Sequence, residues 1–465
     1  MKKTIVKDSS VITIYISNMS EDVWPFIQSI SNPYVRQTEI IENTGLAEHD
    51  LFSFTGMENI VMVLPKPVKE KYIKYFLGLS GNKNFKILTP KLHTGEISKD
   101  IVSDSQLLDE LVSISRRYTR VEFISYTNSS QFLHLVSTIR ERGVVIHTPE
   151  SPVEADSWTV DFFGSKSGIR QLSQQSGIQE PDFKMPPGLI SIDIENTAKM
   201  AAKMYVKENG IVIKTNKGHA GAGLLIFREN DLPKSYNECV GTILNTFRKE
   251  TYWNKFPIIV EKYIDPAVTI GGGYPNAEFK INKNGRVEFL YYCAMRISAS
   301  GIFKGVEINN TVLSDQDTAQ IMDTGFFLGE QLASRGYRGY YEIDFVASKN
   351  GDIFVTESNV RRTGGTHAYH LARYLFGKDF MYDTYILTNN LYPIKKSGPA
   401  EEANKLFEIL SPILYDPVKK EGIVITGTRL MEQNYLGYVI FGNTRSRAEK
   451  IEAAMDNLLA GLGSQ

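Results

Sequence analysis

The sequence predicts an α/β protein of several domains, with a parallel α/β layer first and a strand-rich α+β portion after it. Length is the first observation, because 465 residues are too many for one simple core and suggest two to four domains. The second is the alternation of strand and helix patterns over residues 1–150. The third is the dominance of strand signals after Gly210, including a hairpin over 339–367.

The first 150 residues are predicted to form an α/β layer with a mostly parallel sheet. They contain no G-x-G-x-x-G pattern, so a dinucleotide-dependent oxidoreductase has no support from the residues. Ser103 or Asp104 is placed to cap the middle helix. The predicted strands are 11–16, 59–64, 85–88, 121–125 and 144–147, and the predicted helices are 68–76, 105–118 and 130–142.

A stretch rich in proline and acid, 148–156, separates this layer from the rest of the chain. We expect three domains, over 1–155, 156–265 and 266–465. Helices are predicted over 166–176, 197–208, 315–335, 367–376 and 446–459. Besides the hairpin, strands are predicted over 211–215, 224–227, 258–263, 277–281, 287–293, 423–426 and 437–441.

Composition excludes several functional classes. Lys and Arg (52) nearly balance Asp and Glu (53), so no charge pattern favours nucleic acid or an anionic membrane as a partner. No apolar run approaches the roughly 20 residues that a membrane helix needs, and the apolar part of the N-terminus is too short for a signal peptide. The two cysteines have no metal-ligand spacing and suit a reducing compartment, so we expect a cytoplasmic protein.

The hairpin over 339–367 is the most informative segment. Asn350-Gly351 is a strong signal for a two-residue turn between two strand-forming runs. A turn centred there places three cross-strand pairs on one face of the sheet, because side chains alternate along a strand. These pairs are Asp344–Glu357, Glu342–Asn359 and Val346–Val355.

Facing carboxylates repel, so the pair Asp344–Glu357 should destabilise the hairpin unless something neutralises it. Asn359 supplies an amide oxygen beside them, and carboxylate and amide oxygens are preferred ligands of hard divalent cations. The segment therefore suggests a metal site. The alternative is that the acids are solvated or neutralised by Arg361 on the same face.

A glycine-rich loop is the second informative segment. A predicted strand carries Lys214, and Gly218, Gly221 and Gly223 follow before the next strand. Glycines let backbone N–H groups approach an anion, and the lysine would neutralise phosphate oxygens. The loop is not a Walker A motif, since the lysine precedes the glycines. The alternative is a flexible hairpin tip with a surface lysine.

Two weaker features complete the pattern. Lys166 opens a predicted helix, where it either reaches a nucleotide or is simply solvated. The strand over 258–263 runs into a polar exit that could offer backbone groups to an adenine ring, with Glu261 accepting from its amine. The alternative for that segment is an ordinary strand end.

Taken in order, Lys166, Lys214 with its glycine loop, the segment 261–264 and Asp344…Glu357-x-Asn359 resemble the ATP-grasp superfamily of carboxylate–amine ligases. The resemblance covers 163–367 and implies an ATP-grasp lid and C-terminal core that use ATP and Mg²⁺, with Mn²⁺ as an alternative. It implies catalytic roles for Lys214 and Arg361, and metal binding by Asp344, Glu357 and Asn359. The implied ATP-binding residues are Lys166, Lys214, His219, Gly221, Gly223, Glu261, Lys262, Tyr263 and Ile264.

A finer resemblance is to the pheganomycin-type peptide ligases, which have a Rossmann-like pre-ATP-grasp domain. Residues 217–223 and 357–367 carry it. One departure concerns the ribose of ATP, because Val268 stands where many members have an acid. Asp265 is a possible substitute, and the ribose ligand stays open.

The resemblance implies a substrate pocket between the N-terminal domain and the core. The turn over 363–366 could hold a substrate carboxylate with Arg362 as counter-charge, and His367 could take a proton from an amine. A helix cap or a packing residue is the alternative role for His367, and a structural ion pair is the alternative for Arg296. The candidate substrate-binding residues are Arg296, Arg362, Gly364, Gly365, Thr366 and His367.

The expected activity is ATP-dependent joining of a small carboxylate to an amine, such as an amino acid or peptide, through an acyl phosphate. One alternative has an acyl-carrier protein present a substrate, as in a related member that joins glutamate to a carrier-bound acyl group. Another is a non-catalytic ATP-binding regulatory protein. A homodimer is also expected, since members of the superfamily are often dimers.

Overall fold

The computed structural model describes residues 8–219, 222–298, 301–394 and 402–460. Its strands form three sheets within those ranges. The strands are β1 Asp8–Ile16, β2 Asn59–Val63, β3 Asn84–Leu88, β4 Tyr118–Ser125, β5 Gly188–Ser191, β6 Ile211–His219, β7 Ala222–Phe227, β8 Ile258–Lys262, β9 Pro275–Ile281, β10 Val287–Ile297, β11 Phe303–Ile308, β12 Gly339–Ala347, β13 Ile353–Asn359, β14 Tyr385–Pro393, β15 Gly422–Gly427 and β16 Tyr435–Gly442.

Helices cover the sheets and connect them. None of the described helices is long and apolar enough to cross a membrane. The helices are α1 Trp24–Ser29, α2 Pro33–Leu46, α3 Glu70–Ser80, α4 Ile97–Ser103, α5 Ser105–Ser115, α6 Ser130–Glu141, α7 Trp158–Phe163, α8 Lys166–Ser176, α9 Ile194–Glu208, α10 Tyr236–Phe247, α11 Asp315–Ser334, α12 Thr366–Phe376, α13 Phe380–Asp383, α14 Glu402–Leu410 and α15 Arg445–Ala460.

The first sheet is parallel, in the order β3-β2-β1-β4, as the sequence predicts. Its strands are apolar on both faces because helices cover both sides, which is the usual state of a parallel sheet. Asp104 caps α5 by accepting a hydrogen bond from Leu107 N at 3.2 Å. The predicted strand 144–147 is wrong, since only His147 bridges to Glu122 of β4.

The second sheet is antiparallel, in the order β5-β8-β6-β7, and we call it the lid sheet. Helices α9 and α10 pack on its apolar face around Ile211, Ile213 and Val260. Strand β6 carries Lys214 at a central position, paired with Leu224 on one side and Ile259 on the other. The predicted lysine strand and its partner strand are therefore confirmed.

The third sheet has eight strands, in the order β13-β12-β9-β10-β11-β14-β16-β15, all antiparallel. The sequence predicts most of them but misses β11 and β14, which join the hairpin half of the sheet to its C-terminal half. Apolar residues of β14–β16 share a continuous core with Tyr15 and Met62 of the first sheet. This shared core, which also includes residues of α3 and α12, joins the first sheet to the eight-stranded sheet.

The hairpin of β12 and β13 turns at Asn350-Gly351, where Gly351 has a φ of 88°. Asp344 pairs with Glu357, as the sequence predicts. Glu342 also pairs with Asn359 in the predicted register. The polar pairs at the end of the hairpin that faces the site are therefore confirmed.

The predicted pair Val346–Val355 is wrong. Val346 pairs with Phe354 instead, because the register shifts between Asp344 and Phe345. Thr356 is the extra residue on β13, so this strand contains a β-bulge beside the polar pairs. The carbonyl of Thr356 is then within 3.5 Å of Lys214 Nζ.

Helix α11 crosses the eight-stranded sheet closely because it presents glycines to it. A Cβ on Gly325 would lie 2.1 Å from Cζ of Phe279, and Tyr341 donates a hydrogen bond to the Gly325 carbonyl at 2.9 Å. These contacts fix the helix against β9 and β12, the strands that also carry the acidic side chains of the site.

We expect Gly325→Ala to destabilise the protein by about 1–3 kcal/mol, because the new methyl group overpacks this contact. Gly241→Ala on α10 is the matched control, since its added Cβ meets no described atom within 4 Å. The control should be neutral or stabilising by up to about 1 kcal/mol. Thermal unfolding of both variants measures the difference, and equal midpoints would contradict the packing described here.

Candidate active site

A cavity of about 430 Å³ is lined by residues 19–50, which we call the N-terminal segment, together with the lid sheet and the eight-stranded sheet. Most of the residues that the sequence singles out line this one space. They are Lys166, Lys214, Gly223, Glu261, Lys262, Tyr263, Ile264, Asp344, Glu357, Asn359, Arg361, Gly364 and His367. The structure therefore brings together side chains that are separated by up to two hundred positions in the sequence.

Acidic and amide side chains form two rows across β9, β12 and β13. The strand pairings place Asn276 beside Asp344, and Asp344 beside Glu357. The second row, two residues along each strand, runs from Glu278 through Glu342 to Asn359. All six share one face, since side chains two residues apart on a strand point the same way. The sequence analysis found only the hairpin half of this array.

The amide groups hold the central carboxylate from both sides. Asn276 Nδ2 donates to Asp344 Oδ1 at 2.5 Å, and Asn359 Nδ2 donates to Asp344 Oδ2 at 3.1 Å. Asn359 Nδ2 also lies 3.3 Å from Glu342 Oε2. The other amide atom of Asn359, Oδ1, accepts a hydrogen bond from Arg361. Asp344 and Glu342 are therefore fixed in position by neutral donors and not by ion pairs.

Lysines and an arginine from other elements neutralise the outer acids. Lys166, the first residue of α8, forms an ion pair with Glu357 at 2.5 Å. Lys214 pairs with Glu261 Oε2 at 2.8 Å, and Arg170 pairs with Glu261 Oε1 at 2.5 Å. Both oxygens of Glu261 are thus ion-paired, so this buried acid positions Lys214. Its predicted contact with an adenine amine stays a prediction. Arg170 was missed from the sequence.

The two facing acids ionise very differently. Burial opposes ionisation of Glu357, but the charges of Lys166 and Lys214 lower its pKa to about 2. Burial, with the charges of Glu342 and Glu357, raises the pKa of Asp344 well above its usual range. The pair therefore shares one proton near neutral pH, as closely spaced carboxylates do. Such a pair can release its proton when a stronger positive charge arrives.

Arg361 lies at the junction between this array and the N-terminal segment. Its Nη2 donates to Asn359 Oδ1 at 3.1 Å, and its Nε donates to Asp22 Oδ2 at 2.9 Å. Asp22 also lies 3.8 Å from Lys217 Nζ at the base of the glycine loop. Arg361 therefore contacts one of the metal candidates directly and lines the same cavity.

Arg362 does not line the cavity. It is 2% exposed, donates to Glu150 Oε2 at 2.6 Å and stacks 4.0 Å from the ring centre of Tyr340. Arg296 also lies away from the cavity wall, where it pairs with Glu452 at 2.9 Å and donates to the Thr388 carbonyl. The ion pairs account for both positions, and direct substrate contacts by these arginines stay predictions.

The turn before α12 is only partly open to the cavity. Gly364 lines it, whereas Gly365 packs against Tyr291, and the Thr366 hydroxyl donates to Glu278. His367 lines the cavity and is 3% exposed. Burial lowers the pKa of His367 to about 3, so its ring is neutral.

Three nucleotide-site predictions cannot be placed in full. Gly221 and the side chain of His219 lie outside the described residues. Asp265 forms an ion pair with Lys349, and Val268 is 76% exposed, so neither supports a ribose contact. The ribose ligand stays open.

Asp344, Glu357 and Asn359 fit a hard divalent cation by their chemistry, since all three offer oxygen ligands and two of them share a proton in this structure. No group of three or more His, Cys, Asp and Glu side chains converges as a metal cluster in the described ranges. The candidate set has two carboxylates and one amide, and Lys166 supplies the positive charge beside Glu357.

No family model and no curated protein matches the chain. Several solved structures do match the chain in fold. An ADP complex of N5-carboxyaminoimidazole ribonucleotide synthetase aligns with a TM-score of 0.54 at 10% identity, over 99% of this chain and 100% of that one. The Staphylococcus aureus synthetase with ADP aligns with a TM-score of 0.54 at 11% identity, over 98% and 100%. Campylobacter jejuni biotin carboxylase aligns with a TM-score of 0.52 at 12% identity, over 96% and 90%.

The chain has the fold of these enzymes. This confirms the predicted α/β architecture, in which a parallel first sheet is followed by strand-rich antiparallel sheets. At such low identity the likeness concerns the fold alone, and the roles of individual residues must come from the geometry.

Glu278 should make stability depend on pH. Burial raises its pKa from 4.5 to about 7, so the folded protein keeps a proton that the unfolded chain releases above pH 4.5. Stability should therefore fall as pH rises from about 5 to 7. Glu278→Gln removes this proton, so the variant should lose less stability than the wild type over that interval, by up to a few kcal/mol.

Thermal unfolding at pH 5, 6, 7 and 8 measures the effect. Glu288→Gln on neighbouring β10 is the control, because Glu288 is exposed and its loss should leave the pH dependence unchanged. Parallel curves for the wild type and Glu278→Gln would contradict the protonated, buried state of Glu278.

Proposed function

We propose that the protein is an ATP-dependent carboxylate–amine ligase that forms an amide or peptide bond and releases ADP and phosphate. The observation that supports this most directly is that Lys166 and Lys214 line one cavity together with Asp344, Glu357 and Asn359. Phosphate-binding cations and metal-binding oxygens are both needed for phosphoryl transfer, and they come here from different parts of the chain.

The nucleotide would lie between the lid sheet and the eight-stranded sheet. Tyr263 and Ile264, at the exit of β8, line the cavity together with the apolar side chains of Ile226 and Met295. Such a surface suits an adenine ring, with the backbone of the β8 exit offering hydrogen bonds. The phosphates would then reach Lys214, whose position is fixed by Glu261.

Asp344, Glu357 and Asn359 would hold Mg²⁺, or Mn²⁺, which neutralises charge on the phosphates when bound. Lys166 would then be released from Glu357 to contact phosphate oxygens. In the first step a substrate carboxylate oxygen bonds to the γ-phosphorus, and ADP leaves with the electron pair of the broken bond. Arg361, beside Asn359, would stabilise the charge on the transferred group.

In the second step an amine nitrogen bonds to the acyl carbon, and phosphate leaves with the electron pair of the carbon–oxygen bond. The amine must also lose a proton. His367 lines the cavity, but burial lowers its pKa to about 3 and makes it a weak base, so an oxygen of the departing phosphate is the better acceptor for that proton. Water would hydrolyse the acyl phosphate, and closure of the lid sheet over the nucleotide would exclude it.

The solved structures with the same fold support the nucleotide part of the proposal. Several of them are complexes with ADP or ATP, and a 2-oxoglutarate carboxylase domain contains MgADP and bicarbonate. A role in specialised metabolite or peptide synthesis is proposed on the sequence resemblance.

A screen of amino-acid and dipeptide pairs, with bicarbonate as an additional acid, tests which substrates are joined. ATP-dependent phosphate release together with a product mass equal to the sum of the two substrates minus water would identify the pair. Phosphate release without any joined product in every combination would contradict the ligase proposal.

The double variant Asp344→Asn, Glu357→Gln should abolish ATP consumption, because it removes both anionic ligands of the proposed metal. The fold should survive, since both replacements keep the size of the side chain. Asp352→Asn is the control, as this acid lies at the hairpin turn and pairs with Lys184. ATP turnover by the folded double variant would show that the metal assignment is wrong.

Lys214→Met should weaken MgATP binding by about tenfold or more, since a charged hydrogen bond contributes about 1.5–3 kcal/mol. Lys184→Met, which removes an equivalent charge outside the cavity, should leave the affinity unchanged. Calorimetric titration with MgATP measures both variants. Equal affinities for the wild type and Lys214→Met would contradict phosphate contact by Lys214.

A further inference from the structure

The cavity has a second wall, which the proposed nucleotide site does not use. It is formed by the N-terminal segment, residues 19–50, which follows β1 and includes α2, and by Tyr126, which follows β4. The polar residues that line it are Asp22, Glu42, His49, Asp50 and Tyr126. None of these was singled out from the sequence. The wall is acidic, whereas lysines line the part of the cavity next to the lid sheet.

Asp50 is a buried acid with one free oxygen. It is 4% exposed, and both of its hydroxyl donors, Tyr15 at 2.7 Å and Ser17 at 2.6 Å, bond to Oδ2. Within the described ranges Oδ1 has no hydrogen-bond partner, and no cation lies at ion-pair distance. Arg362 acts on Asp50 only from farther away, since its own ion pair is with Glu150. The two hydroxyls hold Asp50 in place while one oxygen stays available to a ligand.

Glu42 adds a second unneutralised carboxyl to this wall. It projects from α2, lines the cavity and has no ion pair or hydrogen bond among the described residues. Burial raises the pKa of its carboxyl group. The third acid, Asp22, is different, because Arg361 at 2.9 Å and Lys217 already neutralise it.

The histidines beside these acids supply no positive charge. The rings of His49 and His367 meet edge to face, with Nδ1 and Nε2 3.4 Å apart. Burial lowers the pKa of both, so both are neutral. A metal ion is not favoured either, since no three His, Cys, Asp and Glu side chains in the described part of the chain are arranged to hold one. The positive charge that would neutralise Asp50 and Glu42 is therefore best supplied by an organic cation.

We propose that the substrate at this wall carries a protonated amino group, bound by Asp50 Oδ1, with Glu42 as a second acid on the same wall. The inference rests on the proposed function and narrows its substrate class. The attacking amine must be uncharged when it reacts, so an ammonium group that stays bound to these acids during the reaction is a second, non-reacting group. The substrate is therefore an amino acid activated at its carboxylate, a basic amino acid or a diamine.

Matched probes test this class. Lysine with norleucine, 1,4-diaminobutane with butylamine, and β-alanine with propionate differ within each pair by one ammonium group. We expect the charged member of at least one pair to stabilise the MgATP-bound protein more in thermal unfolding. Asp50→Asn and Glu42→Gln should each weaken that apparent affinity by about tenfold, as expected for loss of a charged hydrogen bond.

Glu58→Gln is the control, because Glu58 is an exposed acid that pairs with Lys83 and does not line the cavity. It should keep the selectivity of the wild type, and Glu42→Gln carries the test if Asp50→Asn does not fold. One result overturns this inference alone. MgATP stabilises the wild-type protein, but the two members of every probe pair stabilise it equally, or no probe stabilises it. Selectivity that survives both variants also overturns it. Absence of stabilisation by MgATP contradicts the proposed function and this inference with it.

Discussion

The site depends on one electrostatic constraint, the burial of several carboxylates on a single face of β9, β12 and β13. A buried carboxylate is unfavourable unless it is protonated, paired or bound to a metal. Two mechanisms satisfy this constraint here. Asp344 and Glu342 keep their protons, and Glu357 forms an ion pair with Lys166. Because the lysine comes from a helix outside the sheet, the charge balance of the acids is coupled to the elements that would bind phosphates.

The part of the site that the sequence predicts is the part that local rules determine. The turn at Asn350-Gly351 sets the register of the hairpin, so Asp344 opposite Glu357 can be worked out from spacing alone. The same spacing fails beyond Asp344, since it contains no sign of the bulge at Thr356. The order of the lysines, the glycine loop and the acids gives the fold, but only through a resemblance.

The rest of the site depends on pairings between distant segments, which no local pattern reveals. Glu278 lies on a strand whose neighbour, β12, begins about 60 positions later, so its place beside Glu342 follows only from sheet order. Arg170 looks like an ordinary helix residue until Glu261 is placed next to it. Asp50 lies in a short helical segment without a motif, and packing alone brings it to the cavity.

The central claim is that a metal ion replaces Lys166 beside Glu357 when the nucleotide binds. A crystal structure of the complex with Mg²⁺ and a non-hydrolysable ATP analogue tests this most directly. We expect a metal ion within about 2.1 Å of oxygens of Asp344, Glu357 and Asn359. We also expect Lys166 Nζ to have left Glu357 for a phosphate oxygen. A nucleotide bound elsewhere, or an ion pair between Lys166 and Glu357 that persists with no metal beside it, would contradict the account.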